Sequence, residues 1–156
     1  QELGTPEEVA DSWEKLKKAE KGLMSQGSVL ADVSKSLPAL MRAEKVQKKA
    51  KKAGFDWPDA AGALDKLDEE TAELRQAVEA GQPVDSPHGI REELGDALFI
   101  LCKIAQMSGV DPEDALHRAC DKYQGRFRRV ADAADRPLNA YTEAEKIALW
   151  EQAKEN

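Results

Sequence analysis

Glu92 to Ala105 reads EELGDALFILCKIA, and the reading of this stretch decides the fold. From Ala97 onward it is apolar nearly all round, which marks a helix covered on most of its sides. Its acidic residues, Glu92, Glu93 and Asp96, come just before the apolar run, and Glu93 and Asp96 share a face at i and i+3. Gly95 between them either permits a close backbone approach or is a tolerated small residue.

A second acidic cluster lies one helix earlier, in LDEETAEL from Leu67 to Leu74. At about 100° per residue, Leu64, Leu67, Thr71, Leu74 and Val78 form one apolar stripe. Glu70 flanks that stripe with Glu73 as its i+3 neighbour, whereas Glu69 points away. The two acidic helices bracket a breaker segment, GQPVDSPHG, and helices joined so briefly pack antiparallel. Their carboxylates then face each other across the seam. Like charges that close raise each other's pKa values, and a hard divalent cation, Mg2+ or Mn2+, relieves the conflict. The plainer alternative is a solvated acidic face, the usual meaning of a single such cluster in a chain that is 34% charged. Two clusters beside core stripes favour the metal.

The remaining elements are helices too. TPEEVADSWEKLKKAEKG has Thr5 as cap, Pro6 at the first helical position, Glu8 closing a capping box and Gly22 as a stop. Leu23 to Ser36 reads as a lightly packed linker. A basic helix follows from Pro38 to Ala53, stopped by Gly54, with Leu40, Ala43 and Val46 as its apolar stripe. The loop GFDWPDAAG leads into the acidic helix near Ala63, which ends around Ala80, and the apolar helix spans Gly89 to Ser108. Asp111, Pro112 and Asp114 open the next helix, and Thr142 with Glu145 caps the last. No alternating strand pattern occurs, so the expected fold class is all-α, a helical bundle.

The net charge of -7 disfavours general nucleic-acid binding, although the run from Arg42 to Lys52 could grip a small anion. No apolar run reaches the length of a membrane span. Cys102 and Cys120 sit in apolar helical positions and read as buried free thiols of a reducing, cytoplasmic compartment. A di-iron bundle needs Glu-x-x-His pairs; His117 follows Glu113 at i+4 and His88 stands in a breaker loop, so both read as surface residues. Phe55 and Trp57 could stack on a base, although loop aromatics more often plug a bundle end.

On the helix from Asp111, Ala115, Ala119, Tyr123, Phe127 and Val130 form the expected core stripe. Lys122 and Arg126 flank it one turn apart, and Arg129 continues that edge. Trp150 and Lys154 repeat the one-turn spacing of an aromatic and a cation. Carboxylates for a metal together with convergent cations suggest a polyphosphate ligand.

Taken together, SLPALMRAEKVQKKAKKAGFDW, DEETAEL, EELGDALFILCKIAQMSGVDPEDAL and KYQGRFRRV resemble the MazG family of nucleoside triphosphate pyrophosphohydrolases. The likeness covers roughly residues 36 to 130, with a weaker match at LWEQAK. The resemblance implies Glu70, Glu73, Glu93 and Asp96 as Mg2+ ligands, Lys66, Lys122 and Arg126 as phosphate contacts, and Trp150 with Lys154 as nucleotide contacts. Gly89 and Ile90 stand where related sequences can be charged. It further implies hydrolysis between the α and β phosphorus atoms to a monophosphate and pyrophosphate, with Glu70 orienting or deprotonating the water, and a homodimer as the working form. The resemblance also implies a two-domain protein, the usual arrangement of full-length bacterial members of the family. With Gln1 and no Met at its start, the chain is expected to be the C-terminal half of a longer protein, with residues 1–35 an inter-domain helix and linker and 36–156 the catalytic domain. The alternative is a helical module that binds nucleotide or metal without turnover.

Overall fold

The computed structural model describes residues 5–154, apart from the side chains of residues 21–26; the first four residues of the expected inter-domain segment 1–35 lie outside the described part, and the expected linker from Leu23 is helical as far as Gly27. Six α-helices and one 3-10 turn account for the regular structure, and no strand occurs among the described residues. The chain divides into two compact units, one ending at Gly109 and the other beginning at Val110.

The first unit holds α1 (Pro6–Gly27), α2 (Ala39–Lys52), α3 (Ala60–Glu79) and α4 (Ile90–Met107). The capping box that opens α1 forms as expected: Thr5 N–H donates to Glu8 Oε2 at 2.9 Å and Glu8 N–H to Thr5 Oγ1 at 3.4 Å. Gly22 does not stop this helix, which continues to Gly27. A lone glycine costs a helix only about 1 kcal/mol against alanine, and no second breaker stands beside this one. α3 begins a turn earlier than Ala63, because the Asp59 carboxylate accepts the Gly62 N–H at 2.8 Å. At its far end Gly81, at φ 61, takes the left-handed geometry that closes a helix, and Gln82 N–H reaches the Ala77 carbonyl at 3.0 Å.

α4 packs against both α3 and α2. α3 buries Ala63, Glu70 and Ala77, one residue every two turns, and the two alanines leave room for close helix approach. α4 buries Glu93, Ala97, Ile100, Cys102 and Lys103. Its other stripe, Leu94, Leu98 and Leu101, is exposed in the single chain, so the expectation of cover on most sides is not met by this chain alone. Leu64 and Val78 of the α3 stripe are exposed as well.

The second unit pairs α5 (Pro112–Ala133) with α6 (Glu143–Lys154) through a 3-10 turn at Leu138–Ala140. Asp111 caps α5 by accepting the Glu113 N–H at 2.9 Å, but Asp114 does not close a box; it pairs with Arg118 at 2.7 Å. α6 opens on the expected Thr142–Glu145 box, with Thr142 N–H donating to Glu145 Oε2 at 2.8 Å. Arg129 ties the two helices by donating from Nε to the Ala153 carbonyl at 3.0 Å. Val130 and Ala153 are buried, whereas Tyr123 and Phe127 of the expected core stripe are half exposed. A 12-residue helix cannot cover a 22-residue one. Cys120 is exposed for that reason, contrary to the expectation of two buried thiols; Cys102 alone is buried.

Candidate metal centre and its surroundings

The α3–α4 packing that buries Ala63, Ala77 and Ala97 carries Glu70 and Glu93 inward with it. Glu70 is 6% exposed and Glu93 3%, while Asp96 is exposed at the rim. One carboxylate oxygen from each of Glu70, Glu93 and Asp96 lies within 4.8 Å of the others. Glu73 is near enough to Glu93 for its negative charge to act on that carboxyl. Three of the four acidic residues expected to converge are therefore brought together, and Glu73 stands outside that group. Gly95 plays no part in this closeness: nothing lies within 4 Å of where its Cβ would sit.

Electrostatics matches the geometry. Burial, followed by the charge of Glu73, pushes the Glu93 carboxyl above its ordinary 4.5. Burial, followed by Glu70, pushes Asp96 above 3.8. Lys66 answers from within α3, 2.9 Å from Glu70 Oε1 and 3.1 Å from Glu69 Oε2, and Glu70 holds its ammonium well above the usual lysine range. Even so, Glu70 Oε2 is buried without a hydrogen-bond partner. Orphaned buried oxygens are costly. A set of hard carboxylate donors, one with an unused buried oxygen and one at an open rim, fits a hard divalent cation such as Mg2+ or Mn2+.

These shifts predict how the metal-free protein responds to pH. A carboxyl whose folded pKa is raised favours folding below its unfolded pKa and loses that contribution as pH rises through the folded value. Asp96→Asn removes the penalty. Its Tm in EDTA should exceed that of the parent by a few degrees at pH 7.5, and the gap should close below the ordinary carboxylate range, where Asp96 is itself neutral. With Mg2+ added the order should reverse. A thermal-melt series at several pH values, with and without Mg2+, checks both signs.

In the second unit, Tyr123 and Trp150 place their ring centroids 5.2 Å apart, and the Arg126 guanidinium stands 5.8 Å from the centre of the Trp150 ring. Beside them Phe127, Val130, Leu138, Ile147 and Trp150 line a cavity of about 380 Å3. Lys154 is held at 2.9 Å by Glu151, and Lys122 is exposed one turn before Arg126. Arg129, expected on the same edge, is committed to the Ala153 carbonyl.

Three features went unread in the sequence. Lys103, 1% exposed, forms an ion pair with Asp56 of the GFDW loop, donates to Gln106 Oε1 at 2.6 Å and stands 6.0 Å from the Trp57 ring centre. Its signal was a lone charge inside an apolar run. Gln47 is buried on α2 and donates from Nε2 to the Phe99 carbonyl at 2.8 Å, with its Oε1 unpartnered; nothing in a basic helix pointed to it. Third, Gly89 is crowded. A Cβ there would lie 2.5 Å from the Pro83 carbonyl oxygen and 2.7 Å from that of Ser86, so no side chain, charged or otherwise, fits. The loop aromatics also differ from the expected plug: Phe55 is 82% exposed, and Trp57 is half-buried beside Lys103.

Fold and site together define an all-helical domain built around a carboxylate cluster that can hold a metal ion. Residues 59–131 match the family described as the MazG nucleotide pyrophosphohydrolase domain, so the chain carries a domain of that family. It is 37% identical over 150 residues to the nucleoside triphosphate pyrophosphohydrolase of Escherichia coli K12, covering 94% of this chain and 56% of that protein. It is 34% identical over 145 residues to the nucleoside triphosphate pyrophosphohydrolase/pyrophosphatase MazG of Thermotoga maritima, covering 91% and 54% respectively. A third relative, the uncharacterized protein YabN of Bacillus subtilis, is 38% identical over 151 residues, 95% of this chain and 30% of that one. The chain thus spans about half the length of the first two relatives.

Proposed function

We propose that the chain hydrolyses nucleoside triphosphates with Mg2+ or Mn2+, using water to split the α–β phosphoanhydride and releasing a nucleoside monophosphate and pyrophosphate. The observation that carries this reading is the buried, unpartnered Glu70 Oε2 among the carboxylates of Glu93 and Asp96. The names of the E. coli and T. maritima relatives support it. Glu70, Glu73, Glu93 and Asp96 would hold the cation. When bound, the cation supplies Lewis-acid charge to phosphate oxygens and acidifies water. Glu70 orients the attacking water and accepts its proton. Lys66, already tied to Glu70, keeps that carboxylate oriented and offers positive charge to a phosphate. Lys122 and Arg126 neutralise the departing pyrophosphate, while Trp150 and Lys154 meet the rest of the nucleotide. Residues 36–156 carry this activity.

The test is release of pyrophosphate from each NTP and dNTP by the pure protein, read as phosphate after added pyrophosphatase, with Mg2+ and with EDTA. Metal-dependent release supports the reading. No release from folded protein with any nucleotide would leave a helical module that binds without turnover.

We further propose that two copies pair through α4. Leu94, Leu98 and Leu101 recur at i, i+4 and i+7 on its exposed side, a stripe that a second apolar helix would cover. Leu98→Glu should shift the protein from dimer to monomer in light scattering at micromolar concentration, and unchanged mass would remove α4 from the interface.

A further inference from the structure

The basic run from Arg42 to Lys52 has no role in the proposed chemistry, although it stands out in a chain of net charge -7. Part of it is neutralised locally, since Lys48 pairs with Glu44 and Lys49 with Asp32. Arg42 is not. It lines a groove between α2 and α4 together with Lys35, Leu37, Ala43, Val46 and Phe99. Arg42 and Lys35 are both exposed, and neither side chain has an ion-pair or hydrogen-bond partner among the described residues.

The groove holds about 400 Å3, within the roughly 300–1,000 Å3 of small-molecule sites. Leu37, Ala43 and Val46 form half-buried walls, and Phe99 of α4, 37% exposed, adds an aromatic surface. Gln47, buried on α2, donates from Nε2 to the Phe99 carbonyl at 2.8 Å and so holds the two helices together at this point. A groove that is already formed loses little freedom when it is filled. Apolar walls, one ring and two unsatisfied cations call for a ligand that is flat and apolar in one part and anionic in another. The exposed Lys45, Lys51 and Lys52 add a positive field that draws such an anion to α2. A purely apolar occupant, such as a second helix, would bury Arg42 and Lys35 without partners, which is costly.

We propose that the α2–α4 groove is a second nucleotide site, separate from the carboxylate centre, that takes a nucleoside monophosphate. The base stacks on Phe99 beside Leu37 and Val46, and Arg42 with Lys35 takes the phosphate. The guanidinium fork matches two phosphate oxygens, while the Lys35 ammonium adds a point charge. A monophosphate is the nucleotide product of the proposed hydrolysis, so the choice of ligand rests on that reading; the groove and its unpaired cations do not.

The probe is AMP, titrated in EDTA so that no cation holds its phosphate at the carboxylates. Methyl 1H–13C spectra should show the Leu37 and Val46 signals moving, in the parent and equally in Trp150→Ala, which removes the aromatic contact proposed in the second unit. Arg42→Gln and Phe99→Ala should each weaken the affinity read from those methyls by about tenfold. Lys52→Gln, on the same helix but outside the groove, and Glu70→Gln should each stay within about twofold of the parent, because solvent and salt screen charges that do not touch the ligand. Inorganic phosphate and adenosine, each carrying one half of the ligand, should both bind more weakly than AMP. Methyls that stay in place, or an affinity that Arg42→Gln leaves unchanged, overturn the site. So does a KM for NTP hydrolysis that rises in Arg42→Gln as far as the AMP affinity falls, since the groove would then be the base end of the substrate's own site. If the groove fails while metal-dependent pyrophosphate release is seen, the proposed function stands without it. If AMP moves those methyls in a protein that releases no pyrophosphate, the second site stands alone.

Discussion

Replacing Glu70 with glutamine is expected to lower turnover by about 10^2- to 10^4-fold, the usual contribution of a positioned general base. Glutamine keeps the volume and planar shape of the side chain, so the 6%-exposed site between α3 and α4 is filled as before. What is lost is a negative charge and a proton acceptor. The variant should therefore keep its helix content while turnover and Mn2+ affinity fall together, which separates a chemical loss from a folding one. Glu69→Gln is the matched control. Glu69 lies on the same helix and also contacts Lys66, at 3.1 Å, but it is not among the carboxylates that gather with Glu93 and Asp96. Its turnover should stay within a few-fold of the parent. Near-parental turnover in Glu70→Gln would show that this residue is neither base nor metal ligand.

Much of this arrangement was legible in the sequence because it depends on periodicity. The i, i+3 spacing within each acidic cluster and the breaker between them place the carboxylates on facing sides of two helices, and Glu70, Glu93 and Asp96 do gather there, with the charge of Glu73 felt at Glu93. The cap signals at Thr5, Asp111 and Thr142 depend only on neighbours in sequence, and each forms. What escaped depends on partners distant in sequence. A helical wheel cannot say that Lys103 will meet Asp56, 47 residues earlier, or that Arg129 will choose the Ala153 carbonyl over a ligand. Nor can it say which side of an all-round apolar helix stays open, as Leu94, Leu98 and Leu101 do, because that depends on how many neighbours the chain supplies. Cys120 failed for the same reason. His88 was read from its loop composition as a surface residue, and its side chain is indeed 85% exposed; its distance to Glu93 is set by a backbone angle that no pattern of side chains reports.

The largest expected loss of stability comes from the buried ion pair at the other end of the α3–α4 seam. Asp56→Ala should cost about 3–5 kcal/mol, because it leaves an uncompensated charge on Lys103, whose side chain is only 1% exposed. The Asp56 carboxyl is held below its ordinary 3.8, first by its hydrogen bond to Lys103. Its contribution is therefore present above the unfolded pKa and disappears as pH falls through the folded one, the opposite sign to Glu93 and Asp96. Adding Lys103→Met to Asp56→Ala should recover most of the loss, since a well-packed apolar chain of similar length needs no partner. The pair also joins the loop that precedes the Asp59 cap of α3 to a point on α4 two turns beyond Asp96, and so helps set the register at which Glu70 and Asp96 meet. If stability alone depended on the pair, the double variant would regain parental Mn2+ affinity along with its Tm. We expect the Tm to return and Mn2+ affinity to remain several-fold weaker, because methionine fills the space without fixing the register. Urea melts and Mn2+ titrations on the same three proteins separate the two effects; full recovery of both would confine Lys103 and Asp56 to stability.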